Sequence, residues 1–313
     1  MTARRHLCCN YVTLYARFMS PASWVLFVVL LCLLLASVVM VVGVQCKLQF
    51  KPRSIPKIIW TYWNSDDVPE FVHTCVGTWK RHHPDFDIRV LTPRMLPTVL
   101  DFDVKTVPWN DSPTRESDIV RMNVLQRFGG VWSDASILLT NRYPFVAEME
   151  RPHADFVGYY IDDFTTDERY PVIENWLFAT APRGVFITAW RDAFMDPTLG
   201  LSIDNRLNAM LSRGVDVQNI AYLQYLFMHV CAQFVLQKVL TPHQRQRVLR
   251  LTKAEDGPLK YLADNAWDSA AAVRDMASCF GSHGAVYKIR GLERPFLTGV
   301  MLQNLLSLDN LRT

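Results

Sequence analysis

The sequence predicts an α/β domain built on a largely parallel sheet and carried behind one N-terminal transmembrane helix, and three observations predict it. An uncharged apolar stretch fills residues 22–44. A strand–helix–strand succession comes after Pro56. A helix with clear start and stop signals then ends at Gly129-Gly130, with a short strand and an aspartate directly behind it.

No side chain between Arg17 and Lys47 is charged. A hydrocarbon core of about 30 Å needs roughly 20 apolar residues, and ASWVLFVVLLCLLLASVVMVVGV supplies them. A cleaved signal peptide has a shorter apolar part, about 7–15 residues, so a retained anchor is expected. The expected organisation is a tail at 1–20, an anchor at 21–46, a linker at 47–55 and one domain at 56–313. Arg4, Arg5 and Arg17 precede the span while Lys47, Lys51, Arg53 and Lys57 lie after it, so the positive-inside count does not orient it. With the whole domain behind the anchor, a single-pass type II protein is expected, its body in a Golgi- or ER-like lumen or beyond another cellular membrane. The short linker keeps the domain near the lipid bilayer, and the apolar segment 300–311 is expected to pack on the core.

Of 313 residues, half are apolar and a fifth charged, with a formal net charge of +3 and no long run of Lys and Arg. Nucleic acid is therefore not an expected partner. The seven cysteines lack metal-ligand spacing, and only Cys75, Cys231 and Cys279 fall well inside the domain. An odd number argues against a disulfide framework, and structural zinc is not expected.

Residues 57–63, KIIWTYW, read as a strand buried on both faces. Pro69 opens a helix whose apolar side is Phe71, Val72, Cys75, Val76 and Trp79, and Pro84 stops it. FDIRVL at 86–91 is a second strand, so a parallel pair with a crossover helix is expected. Neither G-x-G-x-x-G nor a Walker motif is present, which removes the usual dinucleotide and NTPase readings. Ser112 caps the next helix, Pro113 takes its first position and Gly129 ends it. Val131-Trp132 starts a strand that Ile137-Leu138-Leu139 is expected to continue. Further helices are expected at 186–194, 220–239 and 261–280.

Arg115, Asp118 and Arg121 are three apart on the Ser112-capped helix, hence on one face, with Ser117 and Arg121 also in reach. Alone, this spacing describes a surface ion-pair ladder. The next strand changes the reading, because Asp134 stands at its carboxyl end, where α/β sheets bind ligands.

RESDIVRMNVLQRFGGVWSDASILL at 115–139 resembles the central signature of the capsular polysaccharide synthesis and glycosyltransferase family 32 group. IPKIIWTYW at 55–63 and PVIENWLFATAP at 171–182 resemble the family's first strand and its E-x-W-F-like segment. The resemblance implies a GT-A-type nucleotide-sugar-binding domain, a Rossmann-like mixed sheet flanked by helices, that transfers a hexose from a nucleotide diphosphate with retention. The donor is a UDP- or GDP-hexose, and the acceptor a glycan, glycolipid or glycoprotein. Asp118 and Arg121, beside Arg115 and Ser117, match residues that bind the donor sugar. Trp60 and Thr61 match first-strand positions that hold the nucleotide, the indole being suited to stacking on a base. Asp134 matches the first Asp of the D-x-D motif, but its third position is Ser136. The resemblance implies Mn²⁺ or Mg²⁺ at Asp134 and Ser136, with one carboxylate fewer than the strict pattern offers.

Glu174, Asn175 and Trp176 form a third element, read either as a helix start with a buried Trp or as an acceptor- or phosphate-facing group; with Asp134 they are the catalytic candidates. His283 and Lys288 are candidates for the donor diphosphate, while His229 reads as a core histidine. No Ser-His-Asp or Cys-His set stands out, which suits a front-face transfer in which the protein positions the sugar and stabilises charge. Two alternatives are a glycoside hydrolase using Glu174 and Asp134, and a membrane-anchored binding or assembly protein with a degenerate transferase fold.

Overall fold

The computed structural model describes residues 54–297 apart from 152–153, together with residue 299. The tail at 1–20, the anchor at 21–46, linker residues 47–53 and the segment 300–311 lie outside the described residues. Among the described residues no helix is long and apolar enough to cross a membrane.

Ile58–Tyr62 forms β1, Glu70–His82 forms α1 and Asp87–Leu91 forms β2. β1 and β2 pair in parallel, with Ile58 opposite Asp87 and Tyr62 opposite Leu91, as the strand–helix–strand pattern predicts. α1 starts after the extended backbone of Pro69 and carries Lys80, Arg81 and His82 in its last turn, where cations meet the negative end of the helix dipole. Val72, Cys75, Val76 and Trp79 are buried on it.

α2 spans Pro113–Phe128. Ser112 Oγ accepts the Arg115 N–H at 3.2 Å, and Gly129 closes the helix with φ 65°. Gly130 is next, with φ 101°. A Cβ on Gly129 would fall 2.6 Å from Pro182 N, and one on Gly130 2.6 Å from Ile58 O. The glycine pair thus lets the end of α2 pass close against β1 and the chain after the 172–180 strand.

β3 (Gly130–Ser133) ends at Asp134, whose N–H donates to Trp176 O at 2.8 Å. The chain turns there, with Ile137 N–H donating to Asp134 O at 3.1 Å. β4 (Ile137–Leu139) therefore does not continue β3, contrary to expectation, but leaves the sheet. β5 (Phe156–Ile161), β6 (Val172–Thr180) and β7 (Leu249–Lys253) complete a six-stranded sheet of order β2-β1-β3-β6-β5-β7. Among these strands β6 alone runs against its neighbours. β4 instead pairs antiparallel with β8 (Val286–Lys288), placing Ile137 opposite Lys288.

Helices α3 (Val185–Met195), α4 (Ile203–Ser212), α5 (Phe227–Phe234) and α6 (Ser269–Ser278) are the other described helices of eight residues or more. One core cluster joins α1, β4, β8 and α6 through residues such as Trp79, Leu138, Tyr287 and Met276. The other joins α2, α3 and α5 through Ile119, Leu125, Trp190 and Val230. The sheet lies between them, a three-layer α/β arrangement.

Two expected helices differ. Residues 220–226 are turns, with Tyr222 at φ 51°, and the helix starts at Phe227 and passes into a π-turn at Val235–Val239. The 261–280 helix breaks at Ala266 and Trp267, both left-handed at φ 51° and 64°. Asp268 then caps α6 by accepting the Ala271 N–H at 2.8 Å. Glu174, Asn175 and Trp176 lie within β6, not at a helix start.

Candidate active site

A cleft of about 540 Å³ opens at the carboxyl ends of β1 and β3 and beside the first half of β6. This is the edge at which open α/β sheets bind ligands. Tyr62, Asp118, Asp134, Asn175, His229 and Lys288 are among its lining residues. In a larger depression of about 770 Å³ beside α3, Arg191 pairs with Asp192 and Arg213 with Asp196. Of these two, the first lies at the carboxyl edge of the sheet and draws its polar groups from α2, β6, β8 and the turn after β3.

Its centre is a chain of opposite charges. The three-residue spacing on α2 puts Arg115 Nη1 3.5 Å from Asp118 Oδ2 and Arg121 Nη1 2.9 Å from Asp118 Oδ1. Arg121 Nη2 reaches on to Asp134 Oδ1 at 2.9 Å, while its guanidinium lies 4.8 Å from the Trp132 ring centroid. The planar fork of arginine suits this bridging of two carboxylates. Trp132 Nε1 also donates to Asp134 Oδ1 at 2.9 Å. On the far side Lys288 Nζ donates to Asp134 Oδ2 at 2.6 Å and to Ser136 Oγ at 3.2 Å.

The two carboxylates are driven in opposite directions. Burial pushes the Asp118 carboxyl above its usual range although Arg121 and Arg115 oppose it. Burial also works to raise Asp134, but Lys288 and Arg121 outweigh it and hold that carboxyl below its usual range. Asp134 thus stays anionic between two cations.

β6 supplies the third side. Asn175 Nδ2 donates to Asp118 Oδ1 at 3.4 Å, and Glu174 Oε2 lies 3.3 Å from His229 Nε2. Trp176 stacks on Tyr159 with ring centroids 5.8 Å apart and has Lys288 Nζ 5.8 Å from its own ring centroid. The cleft therefore gathers Ser117, Asp118, Arg121, Asp134, Ser136, Glu174, Asn175, Trp176 and Lys288 of the expected residues.

Four expected residues are elsewhere. Trp60 is fully buried, faces Trp132 in the β1–β3 register and donates from Nε1 to Gly129 O at 2.9 Å. Its indole has no face open to a base, and Thr61 is equally buried. Arg115 stands behind Asp118, its Nη2 donating to Gln224 O. His283 is drawn away from the cleft by Asp264 at 3.0 Å and Asp275 at 2.9 Å. With Asp275 and Cys279 it forms a grouping of metal-ligating side chains, within 4.8 Å of one another, outside the cleft.

Sequence reasoning does not single out the other lining residues. Tyr62 and Trp63, at the end of β1, offer the aromatic surface expected of Trp60; Tyr225, Arg290 and Arg294 join from later segments. Tyr62 is fixed by a short hydrogen bond to Glu116. His229 is buried, as a core histidine would be, yet it also lines the cleft through Glu174. Position at a strand's carboxyl end is the signal that points to Tyr62 and Trp63; the others have none in local sequence.

For a divalent cation the Asp134–Ser136 pair offers one carboxylate and one hydroxyl, and the Lys288 ammonium engages both. Hard cations take several oxygen ligands, and a donor set already bound to an ammonium does not fit one.

The profile of the family described as "Capsular polysaccharide synthesis protein" matches residues 45–197, just under half of the chain. No curated protein sequence matches significantly. Among solved structures, the PaToxG glycosyltransferase aligns at 17% identity and TM-score 0.33, covering 64% of this chain and 86% of its own. A glycosyltransferase involved in glycosylation of the major capsid of PBCV-1 aligns at 8% identity and TM-score 0.41, covering 80% and 100%. The galactosyltransferase LgtC, in complex with donor and acceptor sugar analogs, aligns at 10% identity and TM-score 0.41, covering 81% and 95%. Likenesses this distant carry no argument about the chain. Over residues 45–197 its resemblance is to the capsular polysaccharide synthesis family, as the 115–139 signature implies.

Proposed function

We propose that the protein transfers a hexose from a UDP- or GDP-hexose to a hydroxyl of a glycan, glycolipid or glycoprotein, with retention at the anomeric carbon, while residues 21–46 hold it in a bilayer as a type II protein. The observation that carries this reading is Arg121 clamped between Asp118 and Asp134 on the carboxyl edge of the sheet. Asp118 and Asn175 present acceptor and donor atoms to sugar hydroxyls, and Tyr62 and Trp63 present aromatic faces to the base. Lys288, Arg290 and Arg294 line the same cleft and suit a diphosphate.

The acceptor oxygen bonds to the anomeric carbon on the face from which the nucleotide leaves. The carbon–phosphate-oxygen bond breaks, the acceptor proton passes to the departing phosphate oxygen, and a nucleoside diphosphate and a glycoside result. This needs positioning and charge stabilisation rather than a protein nucleophile. The test is a screen of UDP- and GDP-hexoses with the full-length protein in detergent. Release of UDP or GDP with one donor, and proton NMR of a product that keeps the donor's anomeric configuration, are expected. Absence of release from every donor sinks the reading, as does cleavage of a glycan without any nucleotide sugar.

A further inference from the structure

We propose that Lys288 supplies the cation this site uses toward the donor diphosphate, so that transfer proceeds without a divalent metal. The identity of the ligand rests on the proposed function; the placement of the charge rests on the geometry of the cleft.

Lys288 is not a surface lysine that happens to reach inward. Its residue is only 8% exposed, and its backbone is tied on both sides. Its N–H donates to Pro258 O at 3.0 Å, its carbonyl accepts from Tyr261 Oη at 2.8 Å, and the next N–H, on Ile289, donates to Ser136 O at 3.0 Å. The β4–β8 register sets it opposite Ile137, one residue beyond Ser136. The ammonium is therefore delivered to Asp134 and Ser136 by backbone pairing, and little conformational freedom is left to lose on binding.

An ammonium has three donors. Asp134 Oδ2 and Ser136 Oγ take two, and the third has no acceptor among the described residues. The charges agree. Asp134 alone faces two cations, Arg121 at 2.9 Å and Lys288 at 2.6 Å, while Arg115 is shared between Asp111 and Asp118 behind them. Both Asp134 oxygens already accept from cations, so a divalent ion there would meet Arg121 and Lys288 at close range with one carboxylate to share. A diphosphate brings acceptor oxygens and negative charge to the remaining N–H of the ammonium. Ser136 belongs to the same arrangement, because a carboxylate in its place would compete with Asp134 for the lysine.

The test uses the full-length protein in detergent, stripped of metal with EDTA. UDP and GDP are titrated into it by calorimetry, and donor turnover is measured in EDTA and in Mn²⁺. One nucleotide is expected to bind in EDTA, with turnover within about two-fold of that in Mn²⁺. Lys288→Met is expected to lower turnover by about 100-fold, the loss typical of removing one charge-stabilising donor, and to weaken nucleotide binding. Lys288→Arg, which keeps the charge, is expected to recover part of both and shows that the loss is not one of folding. The double variant Ser136→Asp with Lys288→Ala is expected to regain turnover only with Mn²⁺. Wild-type turnover that disappears in EDTA and returns with Mn²⁺ overturns the proposal while leaving the transferase reading intact. So does unchanged nucleotide binding in Lys288→Met. Absence of nucleotide release in either condition sinks the transferase reading, while the EDTA titration still decides the role of Lys288: no binding there overturns it.

Discussion

Arg121 and Asp134 show how much of this site is made of groups that hold one another. Asp134 accepts from Arg121, Trp132 and Lys288, so its negative charge is what keeps two cations in place. Asp134→Asn leaves the size unchanged and removes the charge. We expect transfer to fall by about 10³-fold, within the range for loss of a preorganised electrostatic partner, with the far-ultraviolet circular dichroism of the folded protein retained. Wild-type-like turnover would remove Asp134 from the reaction. At this scale the sequence is informative in part. Spacing by three puts Asp118 and Arg121 on one helix face, and the short strand places Asp134 beside them. Trp60 is misleading for a physical reason: β1 is buried on both faces, so alternation carries no sign of which side chain meets the cleft. Lys288 is legible only as a candidate, because nothing local says that residue 288 meets residue 134.

Among the elements, those with chemical punctuation are the readable ones. Pro69 and Pro84 bound α1, and Ser112, Pro113 and Gly129 bound α2, each acting through backbone chemistry that survives tertiary context. Gly129 has a structural duty that can be measured. With φ at 65° and a Cβ position 2.6 Å from Pro182 N, Gly129→Ala is expected to destabilise the fold by about 1–3 kcal/mol or more, read as a lower melting temperature; an unchanged melt would contradict the close approach. Elements without such punctuation escape a local reading. β4 looks like a continuation of β3 because both are apolar, and the 261–280 helix looks unbroken because its left-handed break uses Ala266 and Trp267 rather than glycine. At the end of α1, His83 is buried, and burial, with Arg142 adding to it, lowers its pKa to about 4. Its Nε2 accepts the Tyr143 N–H at 3.1 Å, which requires the neutral ring. A lowered folded value means the unfolded chain takes up the proton first as pH falls. His83 therefore contributes stability in full above about pH 6.5, the ordinary histidine value, and loses it as pH drops toward 4, by about 3 kcal/mol in all. Melting temperatures from pH 7 to pH 4 should fall less steeply in His83→Gln; an equal slope would refute the assignment.

Over the whole molecule, the sheet of parallel strands and the helical layers can be inferred from element order, whereas completion of the cleft cannot. The family match ends at residue 197, yet Tyr225, His229, Lys288 and Arg290 reach the cleft from beyond it. Those contacts depend on tertiary closure, which no local pattern encodes. The anchor proposed at 21–46 is to be tested on the intact chain as well. Cell membranes washed in alkaline carbonate should retain the protein, and its release into the wash would exclude the 21–46 span as an anchor. The ion pair between Asp134 and Lys288 joins residues 154 positions apart, and this sets an order of events during synthesis. Contacts of such long range are assembled late, because loop closure must precede the reward. β1, β2, β3, β5 and β6 can pair as they leave the ribosome, but Asp134 meets its lysine only when β8 has been made and has docked on β4. A nascent or truncated chain therefore carries Asp118 and Asp134 without the lysine that completes their cluster, and the cleft is finished as the last step of folding.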